Sequence, residues 1–204
     1  MSVTMPPRPA EEQAAGDRRW TVEEFCRAYD AGVFGQSKRL ELLRGRIVEK
    51  MPPGPRHSYL ADSIAHMLRV ALEPPLLIRE EKAIRIAFDG QPIPDVTAVS
   101  GERADYQERH PTPEDVALLV EVADTTAAYD LGEKALLYAQ AAIRDYWVVL
   151  ATENAVVRHR QPTPGGYAEV IRLAGQDTLS PLAAPDAVWS VDALLGRAGA
   201  SEED

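Results

Sequence analysis

The sequence predicts an α/β or α+β sandwich, with a central mixed β-sheet flanked by helices. Three observations carry that reading. Helical and strand-like segments follow one another in the order helix, hairpin, helix, several strands, helix, strands. Residues 117–122 (ALLVEV) form a near-continuous apolar run, the pattern of a strand buried on both faces. Between His57 and Leu72, apolar residues recur at helical spacing, with Leu60, Ile64, Leu68 and Ala71/Leu72 on one stripe.

The elements follow in order. Thr21-Val22-Glu23-Glu24 has the capping-box form and starts a short helix through Tyr29. Residues 39–50 read as a hairpin: LELL, a turn at Arg44-Gly45, then RIVEK. The proline-rich stretch 52–55 breaks the chain before the His57–Leu72 helix, which Pro74-Pro75 ends. Strands are expected at 76–79, 82–88, 95–99 and 116–122. A helix over 131–142 leads to a strand at 146–150, then strands at 155–159 and 167–173. Ser190-Val191-Asp192 opens a short last helix.

The length, 204 residues, suits one domain over 20–196, with 1–19 and 197–204 read as disordered ends lacking apolar periodicity. No apolar run approaches the roughly 20 residues that span a bilayer, and no secretory leader is visible. The single cysteine, Cys26, excludes an intramolecular disulfide and a cysteine zinc cage, and a reducing cytoplasm fits this. The net charge is −10, and the first 19 residues are charge-neutral, so most of the excess lies on the folded body. That counts against tight, nonspecific duplex binding, which depends on Lys and Arg neutralising phosphates.

Three acids occupy costly positions. Glu41 lies between Leu40 and Leu42, Asp95 follows Pro94 and opens an apolar strand, and Glu121 sits near the end of ALLVEV. A carboxylate among apolar neighbours needs a cation or several donors. Three such acids on different elements point to one shared cation site. Residues 121 and 123 face the same side of a strand, and residue 123 is alanine, leaving space beside Glu121. Lys134, in an apolar stretch of the next helix with Asp130 four residues earlier, can fill it. Hard carboxylate oxygens suit Mg²⁺ or Mn²⁺ rather than zinc. Together with an amine, such a site suits hydrolysis of a phosphodiester.

Each residue also has a structural reading. Asp95 can cap a turn after proline. Glu121 can pair with a buried arginine, and Glu41 with Arg39 or Arg46 across the hairpin. Lys134 can lie over an apolar face with its amine in solvent. For His57, a structural hydrogen bond at a helix start is the expected role. His66, His110 and His159 show no ligand spacing, and Trp20, Trp147 and Trp189 read as core or interface anchors.

Pro94-Asp95, Glu121-Val122-Ala123 and Lys134 together resemble the PD-(D/E)xK nuclease superfamily. Within it the chain is similar to the Uma-type restriction endonuclease family. The likeness is carried by 40–48 (LELLRGRIV), His57, 93–96 (IPDV), 119–122 (LVEV), Asp130 with Lys134, and 139–147 (AQAAIRDYW), in family order from Trp20 to Leu195. It implies a restriction-endonuclease-like core and Mg²⁺- or Mn²⁺-dependent hydrolysis of DNA by a homodimer. Asp95 and Glu121 would be metal ligands, joined by the Val122 backbone carbonyl, with Glu41 as an outer ligand. Lys134 would replace the lysine expected at position 123, and His57 would lie near the site, in reach of a phosphate. Two departures stand out: Asp124 occupies a position usually Ser, and Arg44 replaces an acid before the hairpin glycine. The other function class compatible with these residues is a nuclease-fold binding or regulatory module without turnover.

Overall fold

The computed structural model describes residues 18–35, 39–72, 74 and 76–197. Most of the two ends read as disordered, 1–17 and 198–204, therefore lies outside the described residues. At the boundary, Arg18 pairs with Glu24 and Arg19 donates to the Arg44 carbonyl.

Helix α1 (Val22–Asp30) starts at Thr21, whose side chain and that of Glu24 complete the capping box. Strands β1 (Leu40–Leu43) and β2 (Arg46–Glu49) form a separate antiparallel hairpin. Its turn needs positive φ at both central residues, Arg44 at 50° and Gly45 at 71°. A Cβ on Gly45 would also come within 2.6 Å of Arg19 Cβ, so the glycine fixes both the turn and the close approach of the chain start. Helix α2 (Pro55–Ala71) has proline in its first turn, where a missing N–H costs nothing.

A six-stranded sheet, in the order β3-β4-β5-β6-β7-β8, carries the rest. Its strands are β3 (Leu76–Glu80), β4 (Val96–Ser100), β5 (Val116–Ala123), β6 (Asp145–Leu150), β7 (Ala155–Thr163) and β8 (Gly166–Ala174). All neighbours are antiparallel except β5 and β6. The parallel pair requires a crossover, supplied by α3 (Ala127–Tyr129), a π-helical turn (Asp130–Lys134) and α4 (Ala135–Gln140). A small pairing of β9 (Thr178–Leu179) with β10 (Trp189–Ser190) leads into α5 (Val191–Leu194). No helix among the described residues is long and apolar enough to cross a membrane.

Both faces of the sheet are covered, which explains why ALLVEV shows no alternation. Leu118, Val120 and Val122 pack with Leu60, Ile64 and Leu68 of α2. Leu119 and Ala123 pack on the opposite face with Leu43, Ile84, Leu137 and Tyr138. Each fully buried aliphatic side chain contributes about 1.5–3 kcal/mol of transfer free energy.

Two expectations differ from the structure. Residues 82–88 form no strand: Ile84 and Ile86 are buried in alternation, but Ala87 turns back at φ 51° and Ile86 only bridges to Gly90. The helix expected at 131–142 begins at Ala127 and is widened by the π turn.

Candidate metal centre

The register of β4 on β5 brings two of the acids together. Val96 pairs with Val120 and Thr97 with Leu119. One step further along the antiparallel ladder, Asp95 falls beside Glu121. Asp95 sits just before β4, so its carboxylate takes over where the ladder stops and accepts the Val122 N–H at 2.7 Å. A second bond at 3.1 Å joins the same oxygen, Oδ2, to His57 Nε2 at the start of α2.

The hairpin brings Glu41 and Lys50. Glu41 pairs with Val48 across the ladder, so Val48 shares its face, and residue 50, two further on, returns to that face. Glu41 Oε1 accepts the Ile93 N–H at 2.7 Å, which ties the hairpin to the segment leading into Asp95. Lys50 Nζ donates to the Ile93 carbonyl and to Asp95 Oδ1, each at 2.9 Å, and lies 3.9 Å from Glu121 Oε2.

The crossover brings Lys134, Asp130 and Tyr138. Lys134 Nζ lies 2.9 Å from Glu121 Oε1, 3.3 Å from Glu41 Oε2 and 3.7 Å from Asp130 Oδ1. Tyr138, one turn later, donates to the same Glu121 oxygen at 2.8 Å. Thr126 donates to Asp130 at 2.5 Å, and Tyr146 to the Asp130 backbone carbonyl at 2.9 Å. Lys134, Asp130 and Thr126, with Asp95, Glu121, Glu41, Lys50 and His57, line a cavity of about 160 Å³ whose walls also include Pro52, Asp124 and Tyr129.

Four buried carboxylates here face two ammonium groups, and the imbalance sets the protonation of the cluster. Burial pushes the Glu121 carboxyl up to about 7, against the pull of Lys134 and Lys50. Burial works the same way on Asp95, but the hydrogen bond from His57 and the charge of Lys50 outweigh it, holding this carboxyl well below the usual range. Burial alone would favour neutral lysines, yet Glu121, Glu41 and Asp130 hold Lys134 charged, and Glu121 with Asp95 do the same for Lys50. The hydrogen bond to Asp95 raises His57. Burial raises Asp130 as well, against the pull of Lys134, so Glu121 and Asp130 lean toward the protonated form while Asp95 and both lysines keep their charges.

Asp95, Glu121, Lys134 and Glu41, each picked out by the sequence, converge on this one cavity. Lys134 is not in solvent: its side chain is 3% exposed. Glu121 pairs with that lysine rather than a buried arginine. Glu41 does not pair across the hairpin, because Arg39 goes to Glu81 and Arg46 to Glu133. His57 reaches the site as the donor that fixes Asp95, and its Nδ1 is buried without a hydrogen-bond partner. Val122 lines the cavity through the end of β5. Lys50 and Tyr138 escaped sequence reasoning.

Among the described residues, no three His, Cys, Asp or Glu side chains are gathered closely enough to hold a metal ion as they stand. The reason is visible in the geometry. Lys50 lies between Asp95 and Glu121 and already supplies a positive charge there. The donor set is hard oxygen throughout and suits Mg²⁺ or Mn²⁺ once that amine is displaced.

A solved structure from Anabaena variabilis ATCC 29413, described as "a putative nuclease belonging to DUF820", shares this fold. It superposes with a TM-score of 0.69 at 16% identity, over 87% of this chain and 98% of that one. A comparison with curated proteins gives no match. The family model described as "Uma2: Putative restriction endonuclease" matches residues 22–194, from the start of α1 to the end of α5, and the chain belongs to that family.

Proposed function

We propose that the protein is a Mg²⁺- or Mn²⁺-dependent endonuclease that hydrolyses DNA phosphodiester bonds. The observation that carries this reading is the buried contact of Lys134 with both Glu121 and Glu41, beside Asp95. An amine so deep in the fold is costly unless it is paired, and here three carboxylates pair it beside an open cavity. In this reading Asp95, Glu121 and the Val122 backbone carbonyl hold the cation, with Glu41 as an outer acceptor. When bound, the cation neutralises charge at the phosphate and makes a water more acidic.

The chain's own residues do the remainder. Lys134 donates to the charge that develops on the phosphoryl group, from a position set by three carboxylates. His57 is a positioning residue: it fixes the Asp95 carboxylate through Oδ2 and leaves Oδ1 directed into the cavity. Tyr138 holds Glu121 from the other side through Oε1. A homodimer would present two such sites, and sedimentation of the full chain tests that part.

Cleavage of plasmid and linear DNA with Mn²⁺ or Mg²⁺ is the test. Asp95→Asn and Glu121→Gln should each abolish cleavage while circular dichroism stays native. Cleavage that survives in both variants removes the mechanism.

The second reading, a nuclease-fold binding module, draws on the net charge of −10 and on carboxylates already compensated by lysines. Calorimetry separates the two. Absence of heat with millimolar Mg²⁺ and Mn²⁺ favours the module.

A further inference from the structure

Lys50 has no role in the reading above, yet it touches the two oxygens that a divalent cation would need. Asp95 Oδ2 is taken by the Val122 N–H and His57, and Glu121 Oε1 by Lys134 and Tyr138. The other oxygen of each acid faces Lys50: Asp95 Oδ1 at 2.9 Å and Glu121 Oε2 at 3.9 Å. The two lysines therefore divide the carboxylates between them. Lys134 is held on one side by three acids at the end of the π turn. Lys50 lies on the cavity side, at the end of β2, and is the more accessible of the two, at 15% against 3%.

We propose that the Lys50 ammonium is a built-in competitor of the divalent cation. It neutralises Asp95 and Glu121 in the metal-free protein and must withdraw before they can coordinate. This rests on the assignment of Asp95 and Glu121 as metal ligands and adds an exchange of one cation for another. The exchange has a physical rationale. Two acids so deeply buried need compensation during folding, before any metal arrives. A lysine supplies it as a compact charge on a flexible four-carbon stem, able to leave without moving the backbone. The consequence is a lowered metal affinity, because each binding event must break the Lys50 contacts and cannot coexist with the ammonium in place.

The test is Mn²⁺ binding, by calorimetry, to wild type, Lys50→Met, Lys50→Gln and Asp95→Asn. Removing the competitor should tighten Mn²⁺ binding about tenfold in the Met and Gln variants, and Asp95→Asn should abolish it. Metal-free Lys50→Met should also melt below wild type and gain more from Mn²⁺. Equal or weaker Mn²⁺ binding in both folded Lys50 variants, with Asp95→Asn still inactive in binding, overturns the competition alone. Absence of Mn²⁺ binding in every protein overturns the metal-site assignment as well.

Wild type gives a measurement that needs no variant. Acylation of Lys50 by an amine-reactive reagent, followed by mass spectrometry, should speed up when Mn²⁺ saturates the site. An unchanged rate overturns the proposal.

Discussion

Lys134 Nζ lies 2.9 Å from Glu121 Oε1 at the centre of the fold, and both side chains are almost wholly shielded from water. Breaking such a pair from one side leaves an uncompensated buried charge. Lys134→Met should therefore cost about 3–5 kcal/mol in urea denaturation at neutral pH. The loss should shrink in acid, where the freed carboxylates become neutral. A stability equal to wild type at pH 7 would mean that the pair is solvated in solution.

Tyr138→Phe removes the second donor to the same Glu121 oxygen without opening a cavity. We expect a loss of about 1–3 kcal/mol, the cost of depriving a buried acceptor of its partner. The double variant with Glu121→Gln should lose less than the sum of the single losses, because both changes act on one hydrogen bond. Strict additivity would argue that the hydroxyl and carboxylate do not interact.

The proton on Glu121 gives the metal-free protein a distinctive pH profile. Its carboxyl is raised in the folded state to about 7, so the native protein holds a proton that the unfolded chain has released. That contribution is fully present below the unfolded value and is lost as pH rises through 7. His57, also raised, adds a loss of the same sign at the upper end. Asp95 is lowered, so its contribution is present above the unfolded value and disappears only in strong acid. Metal-free stability should thus fall between about pH 5 and pH 8, by at most about 3 kcal/mol from Glu121. Glu121→Gln should flatten that slope, and a slope unchanged in Glu121→Gln would assign it elsewhere.

Much of this site is legible in the sequence because burial leaves marks. Glu41 and Glu121 interrupt apolar runs, and Ala123 beside Glu121 signals room for an incoming amine. Lys50 leaves no such mark, since RIVEK ends in polar residues that suit a solvated strand end. The hairpin register would have found it: Glu41 opposite Val48 puts residue 50 on the acid's face. Tyr138 is hidden for a different reason: a tyrosine in an apolar helical stretch reads as core, although it lies one turn after Lys134. The strand expected at 82–88 shows the limit of periodicity. Ile84 and Ile86 alternate into the core as a strand would, but Ala87 turns the chain back at φ 51° and the hairpin edge bridges to Gln91 instead.

Asp124 stands exposed at the mouth of the cavity. A negative charge at that position opposes an approaching phosphate. Asp124→Ser should strengthen DNA binding severalfold in low salt, with the gain vanishing as salt rises above roughly 0.5 M. Fluorescence anisotropy with a labelled duplex in Ca²⁺ measures it. A gain that persists in high salt would point to a contact rather than to charge.

Asp145 supplies a control remote from the cavity. It is fully buried at the start of β6 and accepts from Arg160 Nε at 2.9 Å, Trp147 Nε1 at 3.0 Å and the Leu182 N–H at 2.8 Å. The carboxylate thus ties β6 to β7 and to the segment that follows β9. Asparagine keeps the shape but removes the charge facing Arg160 and turns one acceptor into a donor. We expect Asp145→Asn to cost about 3 kcal/mol or more, since the Arg160 guanidinium loses its counter-charge. Mn²⁺ affinity in the folded fraction should stay at the wild-type value, because the hydrogen bonds of this network run to Arg160, Trp147 and Leu182 and not to the acids and lysines of the cavity. A change in Mn²⁺ affinity without a change in stability would reverse that order of effects, and would show that the β6 end helps to place Glu121 through the parallel pairing of the two strands.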